Sequence, residues 1–341
     1  MMHPPRYCKD LPATGGLLKV EPEDFLVEEI PAYLPSGTGE HLYLWVEKRD
    51  LTGDEAVRRI ARAFDVPRGQ VGAAGTKDRR AVTLQYFSVE TRLSPDALPD
   101  PGEGLRIIEA SRHTNRLRTG HLRGNRFRIR IREAASPGAA QQVIERISAS
   151  GLPNAFGPQR FSRDGETAAW GMSLLKGGKV PGRVFKNRSL RRLALSAGQA
   201  VLYNDYLSRR IADDLYHKVL PGDVLKKTET GGLFNAEPDS VSTEQARLDA
   251  GEIVHAGPIF GRKTFRAHHE AETREKEVLE SHGIGADAFK KHGKLLQGTR
   301  RPDIVYPVDL EMKLDGDALV LSFTLPSGCY ATVLLAEVMG T

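Results

Sequence analysis

Near the C-terminal end of the chain two strand signals, Val308 to Leu314 and Ala318 to Leu325, flank Asp315-Gly316-Asp317. Strands joined through so short an Asp-Gly turn pair as an antiparallel hairpin. An isolated hairpin is only marginally stable, so this one must join a larger sheet. The other strand signals lie far away in sequence, at the opposite end. After a turn at Pro22, Phe25 and Val27 share one face of a short strand that charged residues flank on both sides. His41 to Lys48, Ala81 to Val89 and Leu105 to Glu109 read as further strands, and Phe127-Arg128-Ile129-Arg130-Ile131-Arg132 alternates strictly, apolar residues on one face and arginines on the other. Thr52 to Glu55 predicts the start of a helix reaching about Phe64, which Pro67 prevents from continuing, and Ser136-Pro137 predicts the start of another.

The middle of the chain reads differently. A dense Gly/Pro run from Gly151 to Phe161 marks a boundary, and beyond it the pattern is mixed but helix-rich. Ser196 to Gln199 is expected to cap a long amphipathic helix through about Asp213, with further helices over Val241 to Leu248 and Glu270 to Glu280, and a short strand over Val224 to Thr228. At 341 residues the chain suggests about two domains. The simplest arrangement is an α/β (α+β) fold in which the first and last segments form one sheet and the helical block is inserted between them.

Charge and cysteine content narrow the partners. With 49 Lys+Arg against 44 Asp+Glu the net charge is +5, which alone says little. From Ser111 to Arg132, however, there are eight arginines and no acid. A solvated basic face and contact with RNA phosphates both fit that cluster. Gly120 and Gly124 predict tight turns around Asn125, whose amide can both donate to and accept from a base edge. Cys8 and Cys329 offer no disulfide framework, the N-terminal residues lack the apolar run of a signal peptide, and no stretch approaches a membrane span. A cytoplasmic protein, monomeric and without an obligatory protein partner, is the expectation.

The chemistry concentrates in Gly72-Ala73-Ala74-Gly75-Thr76-Lys77-Asp78-Arg79-Arg80, a glycine-rich turn leading into a strand. One carboxylate, Asp78, stands among three cations. Such an acid suits a nucleophile, a base or an electrostatic partner better than a proton donor, although a solvated turn would look similar. Other mechanisms fail on spacing. Gly-Thr-Lys-Asp is not a phosphate loop, and no dinucleotide fingerprint, HExxH, Cys/His ligand set or GxSxG elbow occurs. Neither a metal nor a cofactor is expected. An arginine-rich strand, isolated aromatics and one poised carboxylate suggest an enzyme that acts on RNA with its own acid.

The chain resembles the tRNA pseudouridine synthase D (TruD) family through nearly its whole length. The resemblance is carried by Lys19-x-x-Pro22-x-Asp24-Phe25-x-Val27-x-Glu29, by Gly75-x-Lys77-Asp78 with Ala81-Val82-Thr83-x-Gln85, and by Gly124-Asn125-x-Phe127. It continues in Asn154-x-Phe156-Gly157-x-Gln159-Arg160-Phe161, in Leu195-Ser196-Ala197-x-Gln199, and in Pro326-Ser327-Gly328 with Ala331-Thr332. It implies isomerisation of uridine, at position 13 of transfer RNA, to pseudouridine without metal or cofactor. The implied fold is a pseudouridine-synthase-type central mixed, mainly antiparallel sheet flanked by helices. Residues 1–157 and 299–341 would form the catalytic domain and 158–298 an inserted helix-rich TruD-type domain. Asp78 matches the catalytic aspartate, whose carboxylate would attack the nucleoside or remove a sugar proton. Phe127 matches a stacking aromatic and Asn125 its neighbour. Phe25 and Tyr330 match further substrate contacts, either of which could instead be a core residue, and Lys19 matches a cation beside the acid. Where the family often has Ser-Phe after Pro-Ser-Gly, this chain has Cys329-Tyr330, and where it often has Phe-Gly after Gln-Arg, this chain has Phe161-Ser162. A non-catalytic RNA-binding or RNA-folding protein on the same scaffold is the alternative reading.

Overall fold

The computed structural model describes residues 4–162 and 164–341. They gather into two compact units: Leu11–Ala149, Tyr306–Gly328 and Val338–Thr341 in the first; the segment ending at Asp10, Ser150–Val305 and Cys329–Glu337 in the second.

In chain order the first unit opens with β1 (Leu17–Leu18), β2 (Phe25–Pro31) and β3 (His41–Arg49). Helix α1 (Gly53–Ala63) starts where its sequence predicts, the Thr52 hydroxyl accepting from the Glu55 N–H at 3.1 Å. β4 (Val71–Ala73) and β5 (Val82–Glu90) enclose the loop that carries Asp78. Then come β6 (Leu105–His113), β7 (Leu122–Arg132) and α2 (Pro137–Ser150).

The second unit contains β8 (Leu152–Pro153), α3 (Glu166–Leu175), α4 (Gly182–Lys186) and α5 (Arg188–Ala212). These are followed by β9 (Val224–Lys227), β10 (Leu233–Asn235), α6 (Val241–Asp249), β11 (Ile253–Ile259), α7 (His269–Ser281), β12 (Thr299–Pro302) and β13 (Ile304–Val305). Strands β10-β9-β11-β12 make a four-stranded antiparallel sheet. The long helix does not begin at Ser196. It begins a little over two turns earlier, where Asn187 Oδ1 accepts from the Leu190 N–H at 3.0 Å. Asn187 is as good a cap as Ser, and the apolar periodicity already runs from Leu190. Ser196 lies inside the helix and accepts a hydrogen bond from Arg160. Gly171 of α3 lets α5 come close, since a Cβ there would stand 2.0 Å from the Ala194 carbonyl oxygen.

β14 (Val308–Asp315) and β15 (Ala318–Pro326) belong to the first unit, and α8 (Ala331–Met339) is the last element. The sheet runs β14-β15-β7-β2-β5-β3-β6, with β1 added to β7 and β4 to β5. β2 and β5 are parallel and the other pairs antiparallel, a mixed and mainly antiparallel sheet. The two ends of the chain meet at β15 and β7, with Phe323 opposite Phe127.

Directly paired residues point to one face of a sheet. The registers therefore align Lys48, Thr83, Val27, Phe127 and Phe323 in one row across it. On this face Ile60 and Phe64 of α1 pack against Leu42, Leu44 and Phe87. Arg126, Arg128 and Arg130 project from the other face. Gly124 is not a turn residue but a strand residue of β7. A Cβ there would lie 2.4 Å from the Leu325 carbonyl oxygen, so glycine serves the close approach of β15.

Candidate active site

Asp78 sits on the loop between β4 and β5, and the loop is anchored from two sides. Lys77, immediately before it, reaches into the sheet and pairs with Glu29 of β2 at 2.8 Å; the two side chains are 6% and 0% exposed. The other Glu29 oxygen accepts the Tyr86 N–H at 3.3 Å. From β3, the fully buried Lys48 donates to the Asp78 main-chain carbonyl at 2.9 Å and to that of Leu51. Burial lowers the pKa of Lys48 to about 8, against the opposing attraction of the Asp78 charge. Two buried ammonium groups thus fix the backbone of the loop while its carboxylate stays about one-third exposed.

That carboxylate is met by Lys19, whose Nζ lies 2.7 Å from Asp78 Oδ2 and 4.0 Å from the centroid of the Phe25 ring. Lys19 adopts φ 55°, a left-handed conformation that non-glycine residues seldom occupy and that costs about 1 kcal/mol. The short link between β1 and the Pro22 turn holds it there. Phe25 packs edge-on against Phe127 with centroids 6.4 Å apart, and Phe127 stacks on Phe323 at 5.2 Å. At 2% and 7% exposure Phe25 and Phe127 are core residues of the sheet, whatever rim they present to a ligand.

Asn125 is two residues before Phe127 on β7 and points to the same face, opposite Glu29. Its Oδ1 is buried without a hydrogen-bond partner among the described residues. So are both polar atoms of Gln85 and the hydroxyl of Thr83, on β5. An unpaired buried polar atom costs about 1–3 kcal/mol, so several on one sheet face call for an explanation in function. Thr83 and Gln85 are fully buried, so of these groups only the half-buried Asn125 amide stands near the surface, where it could meet the edge of a polar ring.

The structure therefore brings together Lys19, Phe25, Asp78 and Phe127, with Asn125 on the same face. Tyr330 belongs to the second unit, half-buried, its ring 5.8 Å from that of Phe156 and its hydroxyl pKa raised by burial. Lys48, Glu29 and Gln85 have no role legible in the sequence, save for one signal at Lys48: it shares the parity of Leu42, Leu44 and Val46, and a lysine on a core-facing position asks for a buried partner.

The arginine cluster resolves differently. Arg126 pairs with Glu28 at 3.1 Å, Arg130 with Asp315, and Arg132 with the buried Asp24 at 2.9 Å. Arg112 donates to the Thr91 and Leu93 carbonyls, and Arg116 to that of Val71. Most of these arginines brace strands and loops of the sheet. No group of three or more His, Cys, Asp or Glu side chains among the described residues could hold a metal ion, and no described helix is long and apolar enough to cross a membrane.

The profile of the tRNA pseudouridine synthase D (TruD) family matches residues 2–179 and 185–338. The chain is 45% identical over 335 residues to a tRNA pseudouridine synthase D of Anaeromyxobacter dehalogenans, covering 98% of this chain and 95% of the relative. To that of Thermus thermophilus it is 42% identical over 345 residues, with 99% and 94% covered. A crystal structure from Methanosarcina mazei, described as a putative tRNA pseudouridine synthase D, has the same fold. Its TM-score is 0.77 at 24% identity, with 100% of this chain and 97% of that one covered.

Proposed function

The chain belongs to the tRNA pseudouridine synthase D (TruD) family, and on that premise we propose that it converts uridine 13 of transfer RNA to pseudouridine with Asp78 as the catalytic carboxylate. The observation that carries this reading is the mounting of Asp78. Its backbone is held by the buried Lys48 and by the Lys77–Glu29 pair, while its carboxylate remains open to solvent beside Lys19. A surface turn with no task would not need two buried lysines beneath it.

A target base inside folded RNA must first be turned out of its stack. The isomerisation breaks the bond from C1′ to N1 and forms one from C1′ to C5; C5 gives up its proton and N1 gains one, so nothing is consumed. Asp78 starts this either by attacking the nucleoside or by removing a sugar proton. Lys19 orients the carboxylate. The unpaired Asn125 oxygen is suited to accept the uracil N3–H, with Phe127 and Phe25 as apolar walls. Tyr330 supplies a further substrate contact. Residues 1–157 with 299–341 are assigned the chemistry and 158–298 form an inserted helix-rich domain, in a cytoplasmic monomer that uses no cofactor.

The test is an unmodified transfer RNA transcript incubated with purified protein and nothing else, followed by mapping of pseudouridine. Wild type should place it at position 13. Asp78→Asn keeps the shape and removes the charge, so it should bind the transcript and form no product; product at the wild-type rate would exclude Asp78 as the catalytic group.

A further inference from the structure

The arginines of β7 are mostly occupied within the sheet, but a second cationic stretch is not. Between 179 and 192 six cations (Lys179, Arg183, Lys186, Arg188, Arg191 and Arg192) stand with no carboxylate among them. Among the described residues Arg183 alone of the six pairs with an acid, Glu166 at 3.4 Å. Large apolar side chains are exposed in this stretch and just after it, Phe185 at 63% and Leu193 at 46%. Arg191 lies over the Phe185 ring at 5.9 Å from its centroid, and Arg183 over Trp170 at 5.1 Å.

Folding does not ask for these charges. Arg188, Arg191 and Arg192 occupy the opening turns of the 25-residue α5. The positive pole of a helix disfavours cations there by about 0.3–1 kcal/mol each. The orphan N–H of Leu190 is already capped by Asn187. The positive surface also extends beyond the two helices. Burial lowers the pKa of His292, and the charges of Arg191 and Lys291 push it the same way. Like charges gathered at a cost, with an aromatic left in solvent under a guanidinium, match the needs of a single-stranded or looped polyanion. Phosphates take the cations and an unpaired base stacks on the ring.

We propose that α4 and the first turns of α5 form a docking surface for the sugar-phosphate backbone of the substrate RNA, with Phe185 as the platform for one unpaired base. This rests on the reading of the chain as an enzyme of transfer RNA, and it involves none of the residues around Asp78.

The test uses the full chain, an unmodified transfer RNA transcript and the triple variant Lys186→Gln, Arg188→Gln, Arg192→Gln. All three side chains are exposed, so the melting temperature should stay within about 2 °C of wild type. Losing three phosphate contacts should reduce the slope of log binding constant against log salt by about 2–3. KM should rise about 10-fold or more, while kcat at saturating transcript stays within about twofold. Phe185→Ala should weaken binding and leave the salt slope unchanged, because stacking releases no counterions. A triple variant with the wild-type slope would overturn the proposal. Wild type that binds the transcript but makes no pseudouridine would overturn the function proposed above, and the slopes would still decide the docking surface.

Discussion

Replacing Glu29 by glutamine should unsettle the Asp78 loop from beneath, and the structure gives the size of the effect. The Lys77 ammonium lies 2.8 Å from the Glu29 carboxylate with both side chains almost fully buried. At an effective dielectric of about 20 their attraction is roughly 6 kcal/mol, much of which offsets the desolvation of both ions. Removing one partner leaves the other charged and buried, which costs about 3–5 kcal/mol. Glu29→Gln and Lys77→Met should each lose about that much, a large share of the roughly 5–15 kcal/mol that holds a typical domain together. The double variant carries no stranded charge, and the amide oxygen introduced by Glu29→Gln can still accept the Tyr86 N–H. Its loss should therefore be smaller than the sum of the two by about 3 kcal/mol or more. The chain has 2 tryptophans, and they report on different units: Trp45 in β3 packs on Tyr86 at 4.7 Å, whereas Trp170 is in α3. In a Trp170→Phe background, urea unfolding followed by tryptophan fluorescence reads the sheet unit alone. Turnover should fall with the single variants as Asp78 loses its support. A loss below about 1 kcal/mol in Glu29→Gln, or strict additivity in the double variant, would refute the buried pair as the anchor of the loop.

Two further outcomes test the geometry elsewhere. Gly124→Ala places a methyl group 2.4 Å from the Leu325 oxygen and should destabilise the β7–β15 junction by at least about 2 kcal/mol in the same fluorescence assay, whereas Gly138→Ala in α2 meets open space and should stabilise by about 0.5–1 kcal/mol. Lys48 gives a pH signature. Its folded pKa of about 8 lies below the ordinary 10.5, so between these values the unfolded chain holds a proton that the folded chain lacks, and stability contributed by this group rises with pH across that window. Comparison of urea midpoints at about pH 7.5 and about pH 10 should show that rise to be a few kcal/mol smaller in Lys48→Met than in wild type; equal pH dependence in the two proteins would contradict the buried ammonium.

Much of this molecule is legible locally. The strand at Phe127 to Arg132, the Asp-Gly hairpin, the Thr52 cap and the Ser136-Pro137 helix start follow from patterns spanning a few residues, and all are found. The misreadings are local patterns with two meanings. Ser196 resembles a cap but sits in a helix that Asn187 had already begun, and Gly124 resembles a turn but is a strand residue pressed by β15. β11 gave no clear signal, because a strand containing Gly257 and Pro258 lacks the β-branched alternation by which strands are read.

One sheet built from both chain ends, the residue types around Asp78 and the motifs of the family are all legible in the order of residues, the mixed character of that sheet only through the resemblance. Periodicity and short motifs are properties of neighbours along the chain, so they survive without coordinates. The tertiary structure decided which charges matter. Lys19 reaches Asp78 across 59 positions and Lys77 reaches Glu29 across 48, while most arginines of the basic cluster are taken up by carboxylates and carbonyls of adjoining strands and loops. An ion pair depends on distance in space and on the water excluded around it, and neither is written in the order of residues.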